Sequence, residues 1–352
     1  MALINRTDLY HSYYLLINSI ADDKYYGLSH VAEHTLLVPT DIGLTFTAQG
    51  YTCMNHVSLC FCSEDLGTLV ELNRKIMTGE IFTIGNIETA KEQVVCEIKK
   101  LKRVTSQNNR VLQFTTENRI NQCAIGDVTQ VENIQKNDVI NWFEERKRRL
   151  QIYNFVFRDA HEMLPMHQLS NPAPHAPLLP PCLKQVDYLY LSTRAEAHKI
   201  ELLYRIPNFN MKEDIIKKGL LEFCMHQKIH CSLGIDAHIS DKYYDIQERF
   251  VVFSFNYDGF EDPEIFINRI QHEMCNISQN EYIEYRSAFK LAMEQILRQP
   301  ESNSEILNSL KNQLLYNTPR VQLKDLSIID LFDYPLDLFK WMPCTAIKVI
   351  IK

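Results

Sequence analysis

The stretch GLSHVAEHTLLVPT at residues 27–40 holds two histidines four apart, His30 and His34, with Glu33 directly before the second. Imidazole is a good ligand for a borderline metal ion such as zinc. On a helix, positions i and i+4 share a face, so this pair can address one ion. Glu33 is angularly offset from that face and can reach a water beside the ion without capping the ion itself. The competing interpretation is two polar residues on a short core helix. A working centre needs a third protein ligand and an open fourth position, and that ligand has to come from elsewhere in the chain.

Two helices must position these groups. Ser29 stands where an N-cap is favoured and Pro39 closes the segment, so a helix over 30–37 is expected. The segment NIETAKEQVVCEIKKLKRVTSQN at 86–108 reads as a longer helix, with Ala90, Val94, Ile98 and Leu101 as its apolar stripe and Lys91, Lys99 and Lys100 turned outward. Glu97 falls on or beside that stripe. A carboxylate there costs several kcal/mol in desolvation unless it is paired or bound to a metal, which makes Glu97 the stronger candidate for the third ligand. Glu92 lies on another side, and Glu88 suits the charge of the helix N-terminus.

The rest of the chain narrows the classes of function. Its 352 residues are enough for two domains with separate cores, and 45% hydrophobic with 23% charged residues is ordinary for a soluble globular protein. A net charge of -7 offers no basic footprint, so nucleic acid is not an expected partner. No apolar run approaches the roughly 20 residues of a membrane span, and the start has no export-signal layout, so a cytoplasmic protein is expected. The ten cysteines are scattered. Cys60 and Cys62 lie two apart on a strand-like segment, facing the same side without zinc-ribbon spacing, and read as buried free thiols. A metal centre would then rest on histidine and carboxylate.

Six of the 13 prolines fall within 165–181, which reads as an extended linker. The expected domains are 1–164, a linker at 165–183, and 184–352. Each half opens with strand-like residues, followed by a helix, a pair of strands and further helices. Strand pairs beside helices point to an α+β fold of two related α/β-sandwich halves with mainly antiparallel sheets. The basic runs KKLKRV and ERKRRL read as solvated helix faces. His226, His230 and His238 match no metal spacing across a helix-to-strand change.

HVAEH at 30–34, followed by a carboxylate in VVCEI on a later helix, resembles the pitrilysin/insulinase group of inverzincin zinc metallopeptidases, which includes mitochondrial processing peptidase. The resemblance implies a bound Zn2+ with His30, His34 and Glu97 as its ligands and Glu33 as general base. QGYTCMNH at 49–56 stands where members carry a strand resembling N-A-x-T-x-x-D-H. Gln49, Gly50, Tyr51 and Thr52 would then be the edge that pairs with substrate, with His56 structural or adjacent to substrate. GDVTQVENIQKNDVINWFEE at 126–145 is similar to a further helical region of the family. The likeness covers most of the first half and only the architecture of the second.

The departures from the family pattern are also informative. The interval from the histidines to Glu97 is short, Ala90 replaces a supporting glutamate, and Gln49 replaces an asparagine. In HCSLGIDAH at 230–238, His230 and Ala237 stand where members place a substrate-gripping Arg and Tyr. This resembles the metal-bearing chain of the small bacterial heterodimers, whose homologous partner subunit supplies that pair. The implied function is a zinc endopeptidase acting on peptides or unfolded segments in an enclosed chamber, a setting that admits processing of a peptide precursor such as a bacteriocin. The alternatives are a non-catalytic scaffold subunit of the same family and a self-contained peptidase.

Overall fold

Two five-stranded sheets, each with its own helices, divide the chain into two units. The computed structural model describes residues 9–19, 22–37, 43–101, 124–148, 150–158, 162–169, 188–191, 198–243, 246–257, 259–299, 303–332 and 347–351. The first unit comprises residues 1–183 and 300–315, and the second 184–299 and 316–352.

In the first unit the chain runs β1 (Tyr10–Ile17), α1 (Leu28–Leu37), β2 (Thr47–Thr52), β3 (His56–Ser63), α2 (Leu66–Thr78), α3 (Ile84–Leu101), α4 (Val128–Asn133), α5 (Lys136–Lys147), β4 (Gln151–Arg158) and β5 (Glu162–Leu169). The sheet order is β2-β3-β1-β4-β5, antiparallel throughout, so among the described residues β2 and β5 are its edges. Every residue of β3 is buried, and so is β1 after its first residue. One face of these strands, with Tyr14, Leu16, Val57, Leu59 and Phe61, packs on Val31, Leu36, Val94 and Trp142 from the helices. Strand alternation sends the intervening residues to the other face.

The second unit runs β6 (Tyr188–Leu191), β7 (His198–Pro207), α6 (Lys212–Leu233), β8 (Ala237–Tyr243), β9 (Glu248–Tyr257), α7 (Pro263–Cys275), α8 (Gln279–Arg298), a 3-10 helix (Leu323–Leu331) and β10 (Ile347–Ile351). Its sheet order is β6-β10-β7-β9-β8, with only β6 and β10 parallel. Ile200, Leu202, Phe253 and Phe255 form its core with Leu220, Ile270 and Tyr282. The fold is therefore α+β, and strand, helix, strand pair, helix recurs as β1-α1-β2-β3-α2 and β7-α6-β8-β9-α7.

The expected boundaries differ from the structure in two places. The first residues of the proposed linker lie in β5, where Pro165 pairs with Phe155 just past a register shift. Proline lacks the N–H of a central strand but is tolerated on an edge. The remainder, from 170 to 183, lies outside the described residues. Helix α9 (Asn303–Tyr316) was expected in the second half, but residues 300–315 associate with the first unit. Among the described residues, no helix is long and apolar enough to cross a membrane.

Candidate metal centre

Helix α1 begins two residues earlier than expected, and Ser29 is not its cap. Asp23 takes that role. Its Oδ2 accepts the Ser29 backbone N–H at 3.2 Å and the Ser29 hydroxyl, while Oδ1 accepts from Trp142 Nε1 and from Arg146 Nη2, both at 3.1 Å. Burial raises the Asp23 carboxyl above its usual range, while these donors and the Arg146 charge oppose the rise. Ser29 is wholly buried and accepts from Asn18 Nδ2 at 2.6 Å. The start of α1 is thus fixed to α5 through a carboxylate that carries no local sequence signal.

A glycine pair fixes the same end from a second side. Gly27 and Gly126 both have positive φ, 101° and 99°. A Cβ built on Gly27 would lie 2.8 Å from the Gly126 Cα and from Val131 Cγ2. Only two glycines allow backbones this close in this conformation. Their contact brings the preceding residue, Ile125, to α1, and its carbonyl lies 3.1 Å from His30 Nδ1.

His30, His34 and Glu97 come together at this end of the unit. His30 Nε2 is 3.3 Å from Glu97 Oε2, and His34 Nε2 is 3.6 Å from Glu97 Oε1. Their ligand atoms all lie within 4.8 Å of one another. His34 Nδ1 is 2.9 Å from Gln93 Oε1. With each Nδ1–H donated to a carbonyl-type oxygen, both Nε2 lone pairs face the centre, the arrangement in which ligating histidines are held. Two imidazole nitrogens and one carboxylate oxygen suit a zinc-class ion and leave a fourth position open, so the donor set fits. Burial opposes charge on His30, but the hydrogen bond to Glu97 and the Glu33 charge outweigh it and raise its pKa. Glu97 is lowered, chiefly by that same bond to His30.

On α3, Ala90, Val94 and Ile98 are buried as the stripe requires. Glu97 lies at its border with its side chain 45% exposed. Lys99 and Lys100 are exposed. Lys91 is not, since its side chain is only 11% exposed and pairs with Glu88. Residues 102–108 lie outside the described residues. Gln93 was not anticipated, although it sits four residues before Glu97 and so shares its face. The Ile125 carbonyl had no sequence signal at all. Replacing Gln93 with Leu is expected to weaken zinc binding by about 10–100-fold, read by competition with a chromophoric chelator. Unchanged affinity would mean that something else orients His34.

Glu33 is 4% exposed, and its carboxylate accepts from the Thr52 hydroxyl on β2. Burial raises its pKa against the opposing pull of His30 and Thr52. Gly50 and Thr52 lie on this side of β2. A Cβ on Gly50 would meet Glu33 Oε1 at 2.6 Å, Leu37 Cδ1 at 2.8 Å and Leu59 Cδ2 at 2.9 Å. Gly50→Ala is therefore expected to cost about 1–3 kcal/mol, lowering Tm by several degrees and displacing Glu33. An unchanged Tm with unchanged peptide cleavage would show that the site accommodates the methyl group.

Gln49 and Tyr51 alternate to the other face, where Gln49 Nε2 donates to Tyr51 Oη at 2.6 Å. His56 is also buried away from the centre, with Nδ1 2.7 Å from Asn55 Oδ1, and burial together with Lys311 lowers its pKa to about 3. In the second unit, Leu233 ends α6 and Gly234, at φ 66°, caps it. His230 is exposed and pairs with Asp236 at 2.8 Å, and its ring stacks on His226. His238 is exposed on β8. These three histidines form no metal-holding group among the described residues.

No family model and no curated protein matches the chain in sequence. Solved structures do match its fold. A protein assigned as an M16-like peptidase from Alicyclobacillus acidocaldarius aligns at TM-score 0.63 and 11% identity, covering 98% of this chain and 93% of that one. The periplasmic protease PqqL from Escherichia coli aligns at TM-score 0.72 and 12% identity over 98% of this chain, which spans only 45% of PqqL. A chain of complex III2 from Candida albicans aligns at TM-score 0.66 and 11% identity, covering 97% of this chain and 90% of that one. The chain therefore has the α+β fold of the M16-like peptidases, a fold also found in a chain of complex III2.

Proposed function

We propose that this chain is a zinc-dependent endopeptidase subunit that cleaves peptides or unfolded segments, with His30, His34 and Glu97 holding the ion and Glu33 acting as general base. One observation carries the reading: three ligand atoms from two helices lie within 4.8 Å, and a buried carboxylate stands one residue from a ligand. A zinc ion held there supplies Lewis acidity toward a peptide carbonyl and an attacking water. Glu33 accepts the proton of that water and returns it to the leaving amine. Thr52 fixes the carboxylate, and Gly50 leaves it room. The edge strand β2 presents Gln49, Gly50, Tyr51 and Thr52 to a substrate that adds as a further strand, so affinity comes from backbone pairing with little demand on sequence.

The same reading assigns the substrate-gripping Arg and Tyr to a homologous partner subunit, because His230 and Ala237 stand at those places here. The reading takes the protein as cytoplasmic. A peptide precursor such as a bacteriocin fits as the substrate class. The test is cleavage of a quenched fluorescent peptide by the chain purified alone and co-expressed with a homologous chain. Turnover is expected only with the partner. Turnover by the single chain overturns the heterodimer, and bound zinc without turnover in either preparation favours a scaffold subunit.

A further inference from the structure

Cys60 and Cys62 read from the sequence as buried free thiols, and both are buried and free. The structure adds a residue that the sequence places far away. In the antiparallel pairing of β1 with β3, His11 lies directly opposite Cys62. Cys60, two residues along, projects from the same face of the sheet. All three are buried, at 1%, 6% and 5% exposure. Cys62 Sγ is 3.1 Å from His11 Nδ1, and the three ligand atoms lie within 4.8 Å of one another. This face is opposite the one on which Leu59 meets Gly50 and Glu33, so the cluster is separate from the His30 centre.

We propose that His11, Cys60 and Cys62 form a second metal site, which takes a divalent, borderline-soft ion of the zinc class. Zinc–sulfur and zinc–nitrogen bonds of about 2.3 and 2.0 Å in a tetrahedral site set the ligand atoms roughly 3.5–3.8 Å apart, so the side chains shift by no more than about 1 Å relative to one another. Two thiolates and a neutral imidazole carry two negative charges. A divalent ion therefore makes a neutral complex, which a buried position favours, whereas monovalent copper would leave a net charge inside the protein. Hard ions such as calcium or magnesium find no oxygen ligand set here.

Cys60 donates a hydrogen bond to Cys62, and His11 and the Thr47 hydroxyl also contact the Cys62 sulfur, so the three side chains already converge on one point. Uptake of the ion forms two metal–sulfur bonds and one metal–nitrogen bond, and the two thiol protons leave to solvent. Thr47, paired with Cys62 across β2 and β3, is exposed, so the site lies one residue from the surface. With three protein ligands, the fourth position is left to water.

The test uses the full chain under a non-thiol reductant, loaded with cobalt(II), because cobalt bound to thiolate gives a near-ultraviolet charge-transfer band that histidine and carboxylate ligands do not. Wild type and His34→Ala are expected to show the band, and Cys60→Ser/Cys62→Ser to lack it. His34→Ala should still bind about one zinc per chain, filling a three-ligand site. Absence of the band in both wild type and His34→Ala at saturating cobalt overturns the proposal, and neither protein depends on the folding of the cysteine variant. Because His34→Ala disables only the first centre, failure of that centre and failure of this one give different results.

Discussion

Glu33→Gln is expected to leave the metal bound at His30, His34 and Glu97 while lowering peptide cleavage by about 10²–10⁴-fold, the span of a lost general base. Glutamine has the volume of glutamate and keeps an oxygen for the Thr52 hydroxyl, so the packing against Gly50, Leu37 and Leu59 survives. What disappears is the ability to take a proton. Zinc content and thermal unfolding should match wild type, which separates a chemical loss from a structural one. Normal cleavage by Glu33→Gln, beside the cognate partner if one is needed, sinks the assignment of this residue as base.

His34→Ala is expected to remove the ion from this centre and reduce cleavage to background. It deletes one of the three proposed protein ligands, a larger change than the 10–100-fold typical of a supporting residue such as Gln93. It also leaves Glu97 facing His30 alone, since the 3.6 Å approach to His34 is lost. Glu97→Gln should weaken binding less, because an amide oxygen remains but its charge does not. The readout is metal per chain by elemental analysis, in which His34→Ala falls about one equivalent below wild type, one ion filling one three-ligand centre. Full content in both His34→Ala and Glu97→Gln would show that these residues do not hold the ion.

Much of the architecture could be read in advance because it rests on periodicity. The stripe Ala90, Val94, Ile98 identified α3 and placed Glu97 at its border, and the pairing of short strands with helices gave the α+β class. Errors arose where a local rule met a tertiary one. Ser29 has an N-cap's chemistry, but Asp23, already held by Trp142 and Arg146, occupies the role, so Ser29 turns inward. Lys91 falls on the outward side of a helical wheel, yet its side chain is nearly covered. Pro165 signalled a linker, although an edge strand tolerates it.

The sequence by itself determined that His30, Glu33 and His34 stand within about one helical turn of one another, because the geometry of a turn is local. It also placed Glu97 at the border of the apolar stripe of its own helix. Only the tertiary structure decided that this face meets the histidines, that Ile125 and Gln93 fix the imidazole rings, and that Gly50 leaves room for Glu33. It likewise decided that His11 meets Cys60 and Cys62, since strand register joins residues about fifty apart. Hydrophobic burial and sheet pairing carry no signature in the spacing of the residues they bring together. Residues that one helical turn brings together are therefore legible in one dimension, and residues joined across two helices or two strands are not.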